Sequence, residues 1–308
     1  MKAIVYKSTG SWYSLKDEEG KFWNGRMKGV LKLDDITSTN PVAVGDRVVA
    51  EIENEDDGTA VINEILDRDN YINRQSPRHK HQHHIVAANL DQSLLIATLK
   101  EPRTSQGFID RFLVASEMYH VPAVIAFNKS DLYKQKELEK YEQWKAMYEA
   151  IGYTVLLVSA EKQEGMEALE KILKGKTSLL SGHSGVGKSS LLNVLFPGMN
   201  RKTRDVSGWS GKGQHTTTFA EMFDLPFGGS VIDTPGMREF GLVDISKAEL
   251  SHYFPEMRDR LNGCQFNNCL HMNEPGCAIK EAVRNGEIHE DRYVSYAGIL
   301  DSIEEKTY

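Results

Sequence analysis

A chain of 308 residues is long for one compact domain and has room for two or three. Its 40% hydrophobic and 26% charged residues are typical of a globular protein, and its net charge of −7 argues against nucleic-acid binding over the whole surface. The sequence lacks the apolar core of a signal peptide and any run approaching the ~18 apolar residues of a membrane span. We therefore expect a cytoplasmic monomer with no membrane partner.

The first 70 residues predict a small β-barrel. Five short segments that alternate or run apolar are separated by glycine, asparagine, aspartate and proline turn signals. Five strands in about 70 residues suit a closed barrel of the OB type. Two interpretations stay open for the aromatic residues here: all of them fill the barrel, or one or two face RNA. These residues are Trp12, Tyr13, Phe22 and Trp23.

A polar segment at 71–89 predicts a linker. It is rich in histidine, at His79, His81, His83 and His84. A metal site is disfavoured, because no strand or helix pattern fixes the ligand geometry. We expect a solvated, mildly cationic linker.

The segment from about 90 to 240 alternates strands and helices. Apolar runs such as AVIAFN and TVLLVSA are typical of buried strands. The pattern indicates a mostly parallel sheet with helices on both faces. The chain is thus predicted to comprise a barrel at 1–70, an α/β domain with its linker at 71–242, and a tail at 243–308. Helices are predicted at 110–119, 135–150, 164–173 and 188–196.

The strongest motif is GHSGVGKS at 182–189, a full G-x4-G-K-S loop between the apolar run TSLL and the helical SSLLNVLF. Its glycines let the backbone wrap a phosphate, and the helix presents free N–H groups to it. Lys188 supplies charge to the β- and γ-phosphates, and Ser189 supplies an oxygen for Mg²⁺. The predicted phosphate-binding residues are Gly182, His183, Ser184, Gly185, Val186, Gly187, Lys188, Ser189 and Ser190.

The sequence NKSD, which ends the apolar strand AVIAF, indicates which base the bound nucleotide carries. The Asp131 carboxylate accepts both N–H groups on one edge of guanine. Adenine does not offer that pair, so the site is expected to reject ATP. Asn128 is predicted to brace the loop and the base, Lys129 to lie along the ring, and Ser130 to complete the nucleotide-binding segment.

Two more segments are predicted to meet the nucleotide. Ser159 and Ala160 end the strand VLLV, and a backbone N–H there is expected to contact the guanine oxygen. In the sequence DTPG, Asp233 is expected to hold Mg²⁺ through water, and the N–H of Gly236 to meet the γ-phosphate.

One threonine of the run HTTT is expected to bind Mg²⁺ and sense the γ-phosphate. We favour Thr217, while Thr216 and Thr218 stay open. The predicted Mg²⁺ site therefore combines Ser189, Thr217 and Asp233.

The group that orients the attacking water is not obvious. Many GTPases have glutamine after DxxG, whereas this chain has Met237, which cannot hydrogen-bond a water usefully. His215 is the best internal candidate, because it precedes the threonines and accepts or donates a proton near neutral pH.

The tail contains every cysteine of the chain. The spacing Cys264-x4-Cys269-x-His271-x5-Cys277 offers three thiolates and an imidazole, a closed tetrahedral Zn²⁺ site. Four protein ligands leave no position for water, so we expect one structural zinc per chain in a mainly helical domain.

Together these motifs resemble the ribosome small-subunit-dependent GTPase A family of bacteria, RsgA or YjeQ, over essentially the whole chain. The guanine-nucleotide motifs occur in a circularly permuted order, with NKSD and the Ser159 segment before the phosphate loop. The resemblance implies an OB-type barrel, a permuted P-loop GTPase domain and a zinc domain. It also implies a role in late maturation of the small ribosomal subunit, GTPase activity stimulated by that subunit, contact with its rRNA, and His215 as the catalytic group.

Two other functions stay open. Met237 is compatible with an RNA-binding scaffold in which GTP or GDP only stabilises the fold. A P-loop ATPase or kinase is disfavoured by Asp131.

Overall fold

The structure is a computed structural model that describes residues 1–28, 41–75, 83–197, 220–234 and 245–303, without the side chains of 74, 75 and 83. Its first five strands confirm the predicted barrel. They follow the order β1-β2-β3-β5-β4, and β4 pairs back onto β1 to close the ring. The strands are β1 (Lys2–Ser8), β2 (Tyr13–Asp17), β3 (Phe22–Met27), β4 (Arg47–Asn54) and β5 (Thr59–Ile65).

The barrel separates its aromatic residues into two classes. Tyr13 and Trp23 are buried with Leu15 in the barrel core. Trp12 and Phe22 are exposed, by 51% and 53%. The barrel-filling interpretation is therefore right for two of the four residues and wrong for the other two.

The predicted linker is partly a two-stranded antiparallel sheet, made of β6 (Tyr71–Gln75) and β7 (His83–Ala88). The expectation that this segment has no strand pattern is therefore wrong. The strands form because apolar side chains of both, Ile72 of β6 with Val86 and Ala87 of β7, are buried in the core of the central domain.

The central sheet has the order β10-β9-β8-β11-β13-β12, with every neighbouring pair parallel except β13 and β12. Consecutive residues such as Leu94 and Leu95 of β8 belong to different hydrophobic cores, because side chains alternate across a strand. The strands are β8 (Gln92–Ala97), β9 (Ala123–Phe127), β10 (Thr154–Leu157), β11 (Thr177–Ser181), β12 (Glu221–Asp224) and β13 (Ser230–Asp233).

Helices cover both faces of this sheet, as predicted. α1 and α2 contribute to one core, and α3 and α4 to the other. α1 begins earlier than predicted, because the side chain of Ser105 caps it by accepting from the N–H of Phe108. The helices are α1 (Gln106–Met118), α2 (Gln135–Ala150), α3 (Met166–Leu173) and α4 (Lys188–Leu195).

The C-terminal region packs three short helices around its own core, which includes Phe254, Ile279 and Tyr296. This mainly helical character agrees with the sequence. None of the helices in the described ranges is both long and apolar enough to cross a bilayer. The helices are α5 (Pro255–Arg258), α6 (Ala278–Arg284) and α7 (Glu290–Ser302).

Candidate nucleotide site and metal cluster

The motifs predicted to bind nucleotide meet at one edge of the central sheet. Parallel strands all present their carboxyl ends there, which is where ligands bind in open α/β sheets. Asn128 follows β9, Ser159 lies just after β10, Gly182 follows β11, and Asp233 ends β13. Segments that are about 20 to 100 residues apart in sequence are thus brought side by side.

Two glycines of the phosphate loop stand where no other residue fits. Gly182 has φ +142°, and a Cβ there would lie 2.3 Å from the carbonyl oxygen of Ile96. Gly187 has φ +96°, caps α4, and would bring a Cβ to 2.3 Å from the amide nitrogen of Asn128. The loop therefore needs glycine both for its backbone conformation and for close packing.

Lys188 is held inside the curve of this loop. Its ammonium donates to the carbonyl oxygens of Gly182, at 2.5 Å, and His183, at 2.9 Å. Burial lowers the pKa of Lys188, and the nearby Asp233 carboxylate opposes that shift. Two backbone oxygens of the loop therefore position the amine.

Asp233 is the acidic counterpart of Lys188. Burial raises the pKa of Asp233, while Lys188 and a backbone N–H lower it. One carboxylate oxygen, Oδ1, is buried without a hydrogen-bond partner among the described residues. An open carboxylate oxygen beside a phosphate loop fits a hydrated Mg²⁺, which prefers oxygen ligands.

Asn128 connects the base-reading segments to the phosphate loop. It is 1% exposed, donates through Nδ2 to the carbonyl oxygen of Val186 at 2.9 Å, and accepts from the N–H of Ala160 at 3.1 Å. One buried side chain therefore ties three motifs together, because a buried amide is costly to leave unpaired.

Asp131 is exposed at the sheet edge and is oriented by Ser159. The hydroxyl of Ser159 donates to Asp131 Oδ1 at 2.5 Å and accepts from the N–H of Lys162 at 3.1 Å. The backbone N–H of Ser159 donates to Glu164. The predicted contact from Ser159 or Ala160 to the guanine oxygen stays a prediction.

Lys129 contacts Glu101, a residue that the sequence did not indicate as part of the site. It has φ +66°, and its ammonium donates to the carbonyl oxygen of Glu101 at 2.5 Å. Next to Glu101, the ring of Pro102 lies within 3.6 Å of where a Cβ on Gly185 would stand. No motif marked the loop after β8, and only its position at the sheet edge could have indicated it.

Several predicted residues lie outside the described ranges, and their roles stay predictions. They are His215, Thr216, Thr217, Thr218, Gly236 and Met237, together with His79 and His81 of the histidine-rich segment.

The cysteine cluster is assembled as its spacing predicts. The possible ligand atoms of Cys264, Cys269, His271 and Cys277 all lie within 4.8 Å of one another. His271 Nδ1 is 3.6 Å from Cys264 Sγ and 3.4 Å from Cys277 Sγ. Ligands at about 2.3 Å (sulfur) and about 2.0 Å (nitrogen) from a tetrahedral ion would be about 3.5 Å apart, so the residues fit a metal.

The surrounding chain holds the ligand loop in place. The Glu274 carboxylate accepts from the N–H groups of Leu270 and Met272. Tyr293 donates to the carbonyl oxygen of His271 at 2.7 Å. Burial lowers the pKa of His271, which favours the neutral imidazole that a metal binds.

Comparison with known proteins places these features in a family. A model of the RsgA GTPase matches residues 65–243, and a model of the RsgA N-terminal domain matches residues 2–60. The small ribosomal subunit biogenesis GTPase RsgA of Bacteroides fragilis is 48% identical over 308 residues, covering 100% of this chain and 99% of the relative. The protein of the same name from Cytophaga hutchinsonii is 50% identical, with coverages of 97% and 98%.

Two solved structures share the fold. The crystal structure of YjeQ from Thermotoga maritima has a TM-score of 0.79 and 36% identity, covering 98% of this chain and 97% of the other. The crystal structure of YloQ, a circularly permuted GTPase, has a TM-score of 0.75 and 31% identity, with coverages of 100% and 96%.

Proposed function

The chain belongs to the RsgA GTPase family, and from this premise we propose that it hydrolyses GTP to GDP and phosphate during late maturation of the small ribosomal subunit. The names of its relatives indicate the subunit. The observation that carries the proposal is the convergence of the phosphate loop, the NKSD segment and Asp233 at one sheet edge, where the half-buried Lys188 and Asp233 interact electrostatically. We propose that the subunit stimulates turnover and binds the GTP form more tightly than the GDP form.

We assign guanine recognition to Asp131. Its orientation by Ser159 leaves a fixed pair of acceptor oxygens at an exposed edge. Asp131→Asn replaces an acceptor pair by one acceptor and one donor. Guanine nucleotides should lose about 3 kcal/mol of binding free energy, and xanthosine nucleotides should gain. Unchanged GTP affinity in fluorescence titrations would contradict this assignment.

The phosphate loop and the Mg²⁺ site complete the nucleotide assignment. We propose that Lys188 contacts the β- and γ-phosphates from the position that its two carbonyl partners fix. When bound, Mg²⁺ neutralises charge on the β- and γ-phosphates. Ser189, Thr217 and Asp233 would hold the ion.

We assign the orientation of the attacking water to His215. The assignment is supported by the sequence alone, because Met237 offers no useful hydrogen bond. His215→Ala should reduce kcat while GTP binding stays nearly intact. Equal turnover in the variant and the wild type would remove His215 from the mechanism.

Turnover measured with and without purified small subunits tests the proposed function. A subunit-dependent increase in multiple-turnover GTP hydrolysis is the expected result. Nucleotide binding without stimulated turnover would favour an RNA-binding scaffold, and turnover of ATP would revive the ATPase alternative. Co-sedimentation with subunits under GTP analogue and GDP tests the nucleotide dependence of binding.

We propose that the cluster of Cys264, Cys269, His271 and Cys277 holds one structural Zn²⁺. The donor set and the sulfur–nitrogen distances support it. Four protein ligands leave no position for a reacting water, so the metal would stabilise the fold of the C-terminal region.

For rRNA contact we propose the exposed aromatic residues of the barrel, Trp12 and Phe22, which offer stacking surfaces to bases. Trp12→Ala with Phe22→Ala should weaken co-sedimentation with the subunit and leave GTP affinity unchanged.

We also propose that the protein is a cytoplasmic monomer, and that its domains extend over 1–70, 71–242 and 243–308.

A further inference from the structure

The two sides of helix α1 belong to different hydrophobic cores. Phe108 and Phe112 pack into the core of the central domain. Val114 is buried in the core of the C-terminal region, and Met118 packs against that core. Residues four apart share one face of a helix, so each set forms a stripe. α1 is thus a rigid element shared by both regions.

On the central side, α1 contacts the phosphate loop. The ring of Phe108 stacks on the ring of His183, with centroids 3.7 Å apart and planes 30° apart. His183 is the loop residue whose carbonyl oxygen accepts from the Lys188 ammonium at 2.9 Å. A shift of Phe108 therefore changes the position of a backbone oxygen that holds the phosphate-binding lysine.

On the opposite side, α1 is held by Arg292 of α7. Arg292 donates to Asp110 Oδ1 at 2.5 Å and to Glu256 Oε1 at 2.7 Å, and Tyr148 donates to the same Asp110 oxygen at 2.8 Å. The Arg292 guanidinium also lies 4.6 Å from the centre of the Phe254 ring. All three charged residues are less than 10% exposed.

The buried ion pairs of Arg292 favour one position of the C-terminal region on α1. Burial opposes the charge on Arg292, but Asp110 and Glu256 outweigh it and raise its pKa. Removing one partner leaves a buried charge uncompensated, so the C-terminal region has one preferred position on α1. α1 in turn has one preferred position against the phosphate loop.

We propose that Phe108 is a positioning residue through which the docking of the C-terminal region controls the affinity of the phosphate loop for nucleotide. Docking through Arg292 fixes α1, Phe108 fixes His183, and the carbonyl of His183 fixes Lys188. By linkage, bound nucleotide strengthens docking of the C-terminal region by the same factor. The proposal rests on the proposed function only for the identity of the nucleotide that the loop binds.

The test measures GTP and GDP dissociation constants on the full chain without ribosomal subunits. Phe108→Leu keeps the apolar contact and loses the flat stack, and it should weaken binding about tenfold, within the usual range of coupling between sites. Phe108→Tyr keeps the ring and should restore binding to within about twofold of the wild type. Ile109→Ala, a buried position on the same helix, is the control for general loss of packing and should leave the dissociation constants unchanged.

A double-mutant cycle distinguishes coupling between Arg292 and Phe108 from a general loss of stability. Arg292→Met should weaken nucleotide binding in the wild type, and it should have almost no further effect in Phe108→Leu. If Arg292→Met does not fold, Tyr148→Phe loosens the same cluster by removing one hydroxyl. Equal effects of either variant in both backgrounds, or unchanged binding in Phe108→Leu, would overturn the proposal.

The preference for guanine over adenine nucleotides should stay constant in every variant, because Asp131 is not altered. Subunit-stimulated turnover plays no part in this experiment. Failure of stimulation would therefore count against the proposed function and leave the test of Phe108 valid.

Discussion

The central domain is attached to its two neighbours by different chemistry. The barrel is joined edge to edge: β1 pairs with β12 at Lys7 and Glu221, and these side chains form an ion pair at 3.0 Å that is 38% and 31% exposed. The C-terminal region is joined through Arg292, whose ion pairs with Asp110 and Glu256 are closed to water.

A second set of polar contacts strengthens the barrel joint, beside Tyr6 and Val44, which are buried in the core of the central domain. Asp224 of β12 accepts across the joint from the hydroxyl of Tyr6 at 2.6 Å and from the ammonium of Lys16, and within the central domain from the hydroxyl of Ser230 at 3.0 Å. Exposed ion pairs contribute about 0–1 kcal/mol each and are screened by salt. The ion pairs of the barrel joint should therefore respond to solution conditions, whereas the buried ion pairs of Arg292 should respond mainly to substitution.

Loss of the metal should have the largest effect, and it should disrupt the C-terminal joint while leaving the barrel joint intact. Chelation or Cys269→Ser should unfold the C-terminal region, because metal-binding free energy, about 10–16 kcal/mol for structural zinc, is folding free energy. The barrel should stay attached, and nucleotide should still bind, although more weakly because α1 loses the docked region that fixes it. Elemental analysis should give one zinc per chain, and limited proteolysis should cut only the C-terminal region. A metal-free chain with that region intact would contradict the prediction.

Substitution of the buried arginine should have the next largest effect. Arg292→Met should lower the free energy of unfolding by about 3–5 kcal/mol, because two buried carboxylates lose their partner. Arg258→Met is the matched control, since Arg258 joins the same region to Glu117 of α1 at 3.1 Å but is 49% exposed. It should cost less than about 1 kcal/mol in urea titrations. Equal losses would mean that burial does not distinguish the two pairs.

Acid should weaken the barrel joint through Asp224. Burial raises the pKa of Asp224, but hydrogen bonds from Lys16, Tyr6 and Ser230 outweigh it, and the pKa is lowered overall. A lowered carboxyl pKa stabilises the folded state above the unfolded value, about 3.9. That stability is lost as pH falls through the folded value. The difference in unfolding free energy between wild type and Asp224→Asn should be below about 1 kcal/mol at neutral pH and should shrink below pH ~4. A difference that is constant with pH would exclude this role.

The smallest effect should come from Lys7→Ala. This exposed pair should contribute only a few tenths of a kcal/mol, roughly 0.3, at low salt. The contribution should disappear near 1 M salt, where screening acts within about 3 Å. Thermal unfolding at two salt concentrations measures it, and a salt-independent loss would show that Lys7 acts through packing.

Sequence reasoning located the nucleotide site because its residue types are dictated locally. Gly182 and Gly187 need backbone conformations that glycine adopts readily, and the NKSD segment ends an apolar strand, so each motif marks its own position. The cysteine cluster was equally visible, because its four ligands lie within 14 residues of chain.

The contacts between domains have no comparable local sequence motif. Asp110 lies in an apolar helical run and Arg292 in a polar one, and their pairing spans 182 positions with no periodic signal. β12 has four residues, too few for a clear alternation, and Phe108 resembles any core phenylalanine. These contacts depend on tertiary packing, which patterning within one segment does not encode.

The pairing of β1 with β12 also sets an order of events during synthesis. β1 leaves the ribosome first, and its partner β12 follows more than 200 residues later. At typical rates of 5–20 residues per second, that interval lasts roughly 10–40 s. The barrel can close meanwhile, because β2 and β4 both pair with β1. The end of β1 near Lys7, however, keeps an open edge, and unpaired edges are templates for pairing with other chains. The newly made barrel is therefore most exposed to misassembly before the last third of its own chain appears.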